Sequence, residues 1–497
     1  MLLNKILLLS LSLLNVGLFA QHSHKLPKDT PKSYFYATMN ADQADKLKVL
    51  HPNDVKILAI NKNEAVVNMS NYAAADLHQF VLSHGPGFIL HTDEKIAKNY
   101  LQRPQTKTSS VLDFNISEDE IVKDYITQVK EGNIQTTIQA LEAIHTRFHL
   151  SNTRNVGMEY IKNLWQSIID ESGRDDLKVE FYTHNNTPQY SVIFTIEGNE
   201  EADEYIIIGG HADSIVSSSW GGNYELRSPG ADDNASGIAT VTEALRILVE
   251  NSFRPKKTIQ IMAYAAEEVG LVGSNEIATK YRNQGMDVKA YVQFDMTNYK
   301  GSPNDVYITT DSYNSNDLNL FLVELMEHYN ASGDHSFTYG YTICNYGCSD
   351  HASWANKGFP AAFPFESSFN DSNPNIHTSN DTYSKSNESS AHAAKFAKLA
   401  LQFLVEATKP TDDLGLNNTS KSNSKIVVNQ KTLNYFLESS MNNNRVKIIN
   451  PTGQIVYQND KLSSNGQLNL TQLTNGMYIV VFESDKGEKF TSKFLIH

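Results

Sequence analysis

The sequence predicts an α/β protein whose central sheet is mixed, mostly parallel and sandwiched by helices, with a small all-β sandwich at the C-terminal end. Two observations predict this architecture. Between residues 112 and 408, short apolar runs at 205–208, 258–264 and 290–294 alternate with helical segments. Parallel strands covered on both faces read as continuous apolar runs. Beyond residue 425, β-branched runs with period two indicate strands with one buried face.

One helix of the α/β segment is clearly amphipathic. It lies between the first two apolar runs, and Ile238, Val241, Leu245 and Leu248 recur at the spacing of one helix face. Ser236 precedes these residues and is expected to be the N-cap. The helix is therefore expected to cover one face of the sheet.

The all-β segment is set apart by composition. Residues 409–424 are polar and contain Pro410, Asp412 and several serines, as a linker does. Within 425–497, runs at 445–449 and 477–482 are separated by turn sequences such as Asn475-Gly476. We predict a linker followed by a separate all-β domain.

The first twenty residues have the features of a secretory signal peptide. Lys5 is followed by an apolar run at 6–14, and the segment ends in Leu18-Phe19-Ala20. This run is short for a bilayer span, and no other stretch approaches eighteen apolar residues. We expect cleavage after Ala20 and an exported, soluble mature protein with no membrane span. A short N-terminal anchor is the alternative.

Charge and cysteine content restrict the partners and the compartment. The chain has 42 basic and 56 acidic residues, a formal charge of -14, which disfavours nucleic acid and anionic membranes as partners. The two cysteines, Cys344 and Cys348, fit one small disulfide in an exported protein. A structural zinc site would need four ligands.

Side chains of the kind that bind metals follow the apolar strands of the predicted sheet. They are His211 and Asp213 after the first run, Glu267 and Glu268 after the second, Asp295 after the third, and Asp232 and Asp233 in the loop before the amphipathic helix. The carboxyl ends of parallel strands meet at one edge of a sheet. Negative charge buried there is costly unless cations compensate it, so the pattern predicts a metal site. Asp213 is expected to accept the second ring N–H of His211 and orient it.

These motifs, in this order, resemble the successive metal-binding motifs of the secreted dizinc bacterial leucyl aminopeptidases. The matching motifs are HADS at 211–214, GADD at 230–233, AAEEVG at 265–270, FDMT at 294–297 and IHT at 376–378. The resemblance covers residues 115 to 408 and implies a zinc-peptidase fold. It also implies an enzyme that hydrolyses peptides from a free N-terminus.

The resemblance further implies individual roles. Asp232, rather than Asp233, would bridge two zinc ions. Glu268 and His377 would complete one site, and His211 and Asp295 the other. Glu267 would be the general base, and Tyr346, between the two cysteines, would stabilise the oxyanion. A donor set of imidazoles and carboxylates suits zinc and tolerates cobalt or manganese.

Three apolar residues, Met296, Phe365 and Phe369, resemble the family's pocket for the first side chain, although core packing explains them nearly as well. The chain departs from the leucyl-preferring pattern at Ser372, where an aromatic residue is expected, and at Thr309, where an aliphatic one is expected. We therefore expect an apolar first residue without committing to leucine. Ser349, Asp350 and His351 are too close in sequence to indicate a Ser/His/Asp triad, and His351 is expected to be structural.

The two terminal segments have alternative interpretations. Residues 21–111 contain strand-like runs at 55–60 and 64–67 but no cluster of ligand or nucleophile residues. We expect a propeptide that assists folding or blocks the site, with an accessory domain as the alternative. The tail at 425–497 resembles the C-terminal sorting domains of type IX secretion, which implies secretion machinery as a partner. A retained β-sandwich binding module is the alternative.

Two rival functions remain compatible with such a sequence. One is a carboxypeptidase, amidase or glutaminyl cyclase with a related zinc site. A carboxypeptidase should carry a cationic clamp for the substrate carboxylate, and Arg227 is the nearest basic residue within the motifs. The other is a metal-free binding protein on a peptidase scaffold, which would lack ligands or the base. The first is disfavoured because no clamp motif is evident, and the second because all five ligands and Glu267 are present.

Overall fold

The computed structural model describes residues 31–77, 85–102, 112, 114–344, 346–386, 388–411, 425–429, 431–437, 444–450, 454–474, 476–485 and 489–496. The signal peptide predicted at 1–20 lies outside these residues. Most of the linker predicted at 409–424 does too, as do 21–30, 78–84 and 103–111 of the predicted propeptide. The chain folds into two compact units, Met1–Lys409 and Pro410–His497.

The first unit begins with a small α+β region. Its strands are β1 (Tyr34–Asn40), β2 (Val55–Asn61), β3 (Glu64–Ser70) and β4 (Phe88–His91), and its helices are α1 (Ala41–Leu50), α2 (Asn71–Leu77) and α3 (Glu94–Tyr100). The strands form an antiparallel sheet in the order β2-β3-β1-β4. The Asn40 side chain caps α1 by accepting the N–H groups of Asp42 and Gln43. The strand-like runs predicted at 55–60 and 64–67 are confirmed as β2 and β3. We call residues 31–102 the N-terminal domain.

The rest of the first unit carries the central sheet. Its strands are β5 (Leu177–Tyr182), β6 (Ser191–Ile196), β7 (Glu201–His211), β8 (Lys257–Tyr264), β9 (Asp287–Gln293), β10 (Val306–Thr309), β11 (Tyr339–Thr342), β12 (Ala361–Ala362) and β13 (Pro364–Phe365). Its helices are α4 (Asp119–Thr127), α5 (Glu131–Glu142), α6 (Val156–Ser172), α7 (Gly237–Glu250), α8 (Val272–Gln284), α9 (Asn316–Tyr329), α10 (His351–Asn356) and α11 (Ala391–Thr408). Short 3₁₀ turns lie at Ser217–Gly221, Phe369–Asp371 and Tyr383–Ser386.

Six strands form the main sheet in the order β12-β9-β7-β8-β6-β5. The first four run parallel, β6 pairs antiparallel with β8, and β5 pairs antiparallel with β6, so the predicted mixed, mostly parallel sheet is confirmed. A small second sheet has the order β11-β10-β13.

Helices cover both faces of the main sheet. Successive side chains of β7 point to opposite faces, and Ile206 and Ile208 join the hydrophobic core that contains α7 and α11. Ile207 joins the core on the other face, with Ile277 of α8 and Trp354 of α10. The predicted apolar face of α7 is fully buried. The sandwich of helices and sheet is therefore confirmed.

Ser236 directly precedes α7, as predicted for its N-cap, but its side chain does not cap the helix. Ser236 has helical backbone angles and makes no capping hydrogen bond. Its hydroxyl donates to the carbonyl oxygen of Asp232 and accepts the N–H of Thr297. Ser236 is thus used to join the loop before α7 to the loop after β9.

The second unit is all-β. Its strands are β14 (Lys425–Asn429), β15 (Thr432–Phe436), β16 (Asn444–Ile449), β17 (Ile455–Leu462), β18 (Asn465–Asn469), β19 (Gly476–Glu483) and β20 (Lys489–Ile496). They pair antiparallel in two sheets, β14-β15-β18 and β17-β16-β19-β20, around a core that includes Leu433, Val446 and Phe482. In the described part of the chain, no helix has the length and apolar character needed to cross a bilayer.

Candidate metal centre and active site

The ligand-type residues converge because three neighbouring strands end at the same edge. His211 is the last residue of β7, Glu267 and Glu268 follow β8, and Asp295 follows β9. The structure brings potential ligand atoms of His211, Asp233 and Glu268 within 4.8 Å of one another. All three side chains are buried.

The carboxylate of Asp233 lies between two histidines. Its Oδ1 is 3.0 Å from Nε2 of His211, and its Oδ2 is 3.0 Å from Nε2 of His377. On the His377 side, Nε2 also lies 3.0 Å from Oε2 of Glu268. On the His211 side, Nε2 lies 3.4 Å from Oδ1 of Asp295. One carboxylate therefore separates two groups, each with one imidazole and one further carboxylate.

The structure does not place Asp232 in this position, which corrects our expectation that it would be the bridge. Its Oδ1 accepts the N–H of Asn298 at 3.1 Å, and its Oδ2 accepts the side-chain amide of Asn373 at 3.0 Å. Both oxygens are thus engaged away from the histidines. The physical reason is that adjacent side chains in the turn after Gly230 point in different directions, and only that of Asp233 points into the centre.

The carboxylate of Asp213 lies beside His211 and the loop after β8. Its Oδ1 lies 3.3 Å from Nδ1 of His211. The same carboxylate accepts the backbone N–H groups of Glu267 and Glu268, at 3.0 and 3.2 Å. Asp213 therefore links the end of β7 to the loop after β8. A comparable contact holds Asp295, whose Oδ2 accepts the hydroxyl of Ser349.

The chemistry of this centre fits divalent metal ions. The carboxylate oxygens of Glu267 and Glu268 and both ring nitrogens of His211 are buried and make no hydrogen bond of acceptable geometry. Buried charged groups are costly when they have neither hydrogen bonds nor compensating ions. Imidazoles with carboxylates form a donor set that zinc accepts.

Two family models match the chain. Residues 191–403 match peptidase family M28, and residues 419–497 match the secretion system C-terminal sorting domain. A probable aminopeptidase of Saccharomyces cerevisiae is 36% identical over 301 residues, which are 59% of this chain and 76% of the yeast protein. Leucine aminopeptidase 1 of Colletotrichum graminicola is 34% identical over 315 residues, or 61% of this chain and 75% of the fungal protein.

The chain belongs to peptidase family M28. This M28 peptidase is also similar to the solved structure of the LapA aminopeptidase of Legionella pneumophila, with a TM-score of 0.65 and 30% identity over 76% of this chain and 99% of that one. The second Legionella structure, LapB, has a TM-score of 0.64 and 25% identity, over 76% of this chain and all of that one. The predicted resemblance is confirmed, and the enzyme class is that of the zinc-dependent aminopeptidases. The sorting domain makes it a secreted protein.

Electrostatics at the centre of the M28 peptidase reflect the excess of buried carboxylates. Burial lowers the pKa of His211, but Asp295 and Glu267 outweigh it and leave that pKa well above its usual value. Burial likewise lowers the pKa of His377, and Glu268 and Asp233 raise it well above the usual value. Burial and the nearby Asp233 raise the pKa of Glu268 to about 7. The site thus attracts positive charge strongly, whether as protons or as metal ions.

The predicted pocket residues lie together next to the Tyr346 loop. Met296, Phe365 and Phe369 are buried, and the rings of Phe365 and Phe369 are 5.1 Å apart. The ring of Tyr346 packs edge-on against Phe369 at 6.2 Å. Cys344 and Cys348 form the predicted disulfide around this loop, whose Asn345 lies outside the described residues.

The ring of His351 lies among aromatic side chains. Its ring packs on Phe363 at 4.9 Å and on Tyr313 at 6.4 Å. The hydroxyl of Ser349 donates a hydrogen bond to the carboxylate of Asp295. These contacts agree with a structural His351 and give no support to a Ser/His/Asp arrangement.

Sequence reasoning missed four residues of the site. Asp233 lies next to another aspartate in sequence, and local pattern does not show which of the two faces the histidines. Nothing in the sequence indicates the contact of Ser349 with Asp295. Arg147 and Asp381, which hold the Asp233 loop, carried no motif. For Asp381 a sequence signal existed, since it is a carboxylate four residues after His377.

Proposed function

We propose that this M28 peptidase removes the N-terminal residue, preferably an apolar one, from peptides with a free N-terminus, and that it holds two zinc ions on either side of Asp233. The observation that carries the proposal is the carboxylate of Asp233 with a histidine against each of its oxygens. A carboxylate so placed could be shared by two metal ions.

Each zinc ion would take one imidazole and one further carboxylate besides the bridge. His211 and Asp295 would serve one ion, and His377 and Glu268 the other. Bound zinc would supply Lewis acidity for the scissile carbonyl and lower the pKa of a water molecule. Cobalt or manganese would be accepted by the same donor set.

Glu267 is the proposed general base. Its side chain is fully buried, and its Oε2 lies 4.0 Å from Nε2 of His211. Burial raises the pKa of Glu267 well above its usual value; His211 lowers it, and Glu268, Asp350 and Asp295 raise it further. A carboxylate of raised pKa can take the proton of the attacking water and give it to the amine of the leaving peptide.

Tyr346 is the proposed donor to the oxyanion, and the disulfide on either side of it would restrict the loop that carries it. The first side chain of the substrate would lie against Met296, Phe365 and Phe369, which are apolar. The hydroxyl of Thr309 is used inside the protein, where it contacts Asn314 and the carbonyl oxygen of Phe363, each at 2.8 Å. Because its hydroxyl is already hydrogen-bonded, Thr309 would offer an apolar substrate a less polar surface than a threonine with a free hydroxyl.

We also propose that the N-terminal domain is part of an inhibitory propeptide, as expected for residues 21–111. A Cβ atom built on Gly85 would lie 2.5 Å from the carbonyl oxygen of Cys348 and 3.3 Å from Oε1 of Glu267. The backbone at Gly85 thus stands directly against the proposed base. A substrate would need that space.

Other contacts of the N-terminal domain support the same proposal. The N–H of Leu90 donates to the carbonyl oxygen of Gly270 at 3.2 Å, in the loop after Glu268. Tyr313 donates its hydroxyl to Glu64. Phe88 and Leu77 share one buried hydrophobic cluster with Met296, Tyr346, Phe365 and Phe369. The domain therefore covers the proposed pocket as well as the base.

The proposed function is tested with one peptide in three forms, free, N-acetylated and C-amidated. The enzyme is used after its N-terminal domain has been removed by limited proteolysis. We expect cleavage of the free and C-amidated forms, no cleavage of the N-acetylated form, and loss of all activity in excess chelator. Activity that is lost on C-amidation would support the carboxypeptidase alternative instead. Two bound zinc ions without any turnover would support a binding protein.

A further inference from the structure

The Asp233 carboxylate can face two histidines only if its backbone is held in one place. The segment that carries it begins at Gly230, which has a φ of 53°. A Cβ atom there would lie 2.5 Å from the carbonyl oxygen of Asp233 and 2.7 Å from Nη2 of Arg147. Glycine is therefore required by both the backbone angle and the space.

Arg147 binds this segment from the carbonyl side. Its guanidinium is fully buried and donates to the carbonyl oxygens of Pro229 and Gly230, the latter at 2.8 Å. Its Nε donates at 2.9 Å to the carbonyl oxygen of Ala212, between His211 and Asp213. One buried cation thus joins the segment before Asp233 to the end of β7.

Asp381 binds the same segment from the N–H side. Its two carboxylate oxygens accept the N–H groups of Asp232 and Asp233, at 3.1 and 3.0 Å, and its backbone carbonyl accepts the N–H of Ala231 at 3.1 Å. Asp381 also belongs to the turn that carries His377, since its own N–H donates to the carbonyl oxygen of Thr378. The position of Asp233 is thereby coupled to that of His377.

We propose that Asp381 and Arg147 are positioning residues that fix the backbone of the Asp233 loop, so that one carboxylate reaches both metal sites. This inference rests on the proposed two-zinc function. It predicts that weakening either residue lowers the affinity of the folded protein for zinc, and not merely its stability. Residues that orient metal ligands typically contribute 10- to 100-fold to metal affinity or activity.

The test is the zinc affinity of Asp381→Asn and Arg147→Lys, measured on the metal-free full chain with zinc alone, by competition with a chromogenic chelator. We expect a loss of about 10- to 100-fold for each variant, and a changed visible spectrum of the cobalt-loaded protein. If Asp381→Asn does not fold, Asp381→Glu, which keeps the charge but displaces it by one methylene, is measured with the same expectation.

The matched control is Asp176→Asn. Asp176 is a carboxylate bound by Arg174 at 2.6 Å and by Arg254, just before β5, and it contacts none of the proposed ligands in these pairs. This variant should lose thermal stability without losing zinc affinity. Unchanged zinc affinity in both the Asp381 and Arg147 variants would overturn the inference while leaving the proposed function intact. A wild-type protein that binds no zinc would overturn the proposed function itself.

Discussion

Oδ1 of Asp233 and Nε2 of His211 are 3.0 Å apart, and the second oxygen of the same carboxylate lies equally close to His377. The carboxylate oxygens of Asp232, the preceding residue, instead accept hydrogen bonds from the N–H of Asn298 and the side-chain amide of Asn373. The two neighbouring aspartates therefore have separable roles, and substitutions should distinguish them.

Asp233→Asn should disturb both metal sites at once, because one carboxylate contacts both histidines. We expect less than one tightly bound zinc per chain and a loss of turnover of more than about 100-fold, beyond the range of a residue that only orients ligands. Asp232→Asn should keep two zinc ions. Metal content by elemental analysis, measured beside turnover, decides between them; the opposite pattern would restore Asp232 as the bridge.

Glu267→Gln should keep the metal ions and lose most of its turnover. The amide occupies nearly the same space but cannot accept the proton of the attacking water, so we expect kcat to fall by about 10²- to 10⁴-fold with little change in KM. The variant is compared with wild type after removal of the N-terminal domain. Turnover equal to that of wild type would exclude Glu267 as the base.

Gly85→Ala should activate the uncleaved enzyme. Its new Cβ would meet the Cys348 carbonyl oxygen at 2.5 Å, a contact that requires the backbone to shift away from Glu267. If undocking becomes easier by about 1.4 kcal/mol, the open population rises tenfold. Peptidase activity of the intact chain is measured before and after trypsin treatment, since Arg103 and Lys107 follow the domain in sequence.

Gly333→Ala is the control for that experiment. Gly333 also has a positive φ, of 83°, but a Cβ atom there would have no neighbour within 4 Å. The Gly333→Ala variant should lose only the stability that the unfavourable backbone angle costs, and its peptidase activity should not rise. An inhibitory role for the N-terminal domain would be contradicted if trypsin did not raise the activity of wild type and Gly85→Ala had the same activity as wild type.

Asp305→Asn should destabilise the protein at neutral pH and matter less in acid. Burial raises the pKa of Asp305, but hydrogen bonds from Lys300, from Lys395 at 2.7 Å and from the Thr338 N–H at 2.9 Å hold it well below its usual value. A depressed pKa means that the stabilisation is complete above the unfolded-state pKa of about 4 and is lost as the pH falls through the folded-state value.

We expect Asp305→Asn to lower the free energy of unfolding by about 1–3 kcal/mol at pH 7, as for hydrogen bonds to a charged group. The difference from wild type should shrink steadily below about pH 4. Thermal unfolding in excess chelator at several pH values measures it without a contribution from bound metal. A difference that does not depend on pH would mean that the charge of Asp305 is not what stabilises the fold.

Local sequence patterns predicted the sheet and its edge but not the orientation of single side chains. The apolar run at 205–208 predicted β7. Because His211 follows that run, the sequence also predicted that it would lie at the same edge of the sheet as Glu268 and Asp295. Choosing between Asp232 and Asp233 depended on hydrogen bonds to Asn298 and Asn373, which are 66 and 141 residues away from Asp232 in sequence. The hydroxyl of Ser236 likewise does not cap α7, because it donates to the carbonyl oxygen of Asp232 and accepts the N–H of Thr297, 61 residues away.

The position of Gly85 against Glu267 could not be read from the sequence at all. The two residues are far apart in the chain, and the segment around Gly85 carries no ligand or nucleophile motif. They are brought together by the shared hydrophobic cluster that contains Phe88, Phe365 and Phe369, and by the hydrogen bond from the N–H of Leu90 to the carbonyl oxygen of Gly270. The same cluster explains why pocket residues and ordinary core residues look alike in the sequence.

The N-terminal domain and the residues it covers belong to one polypeptide, so its docking is an intramolecular equilibrium. A short tether keeps the local concentration of such a segment in the millimolar range, whatever the concentration of the protein. Dilution of the intact chain would therefore not release it. Once the tether is cut, rebinding depends on concentration, and a larger fraction of the enzyme would be active in a large volume than in a confined one.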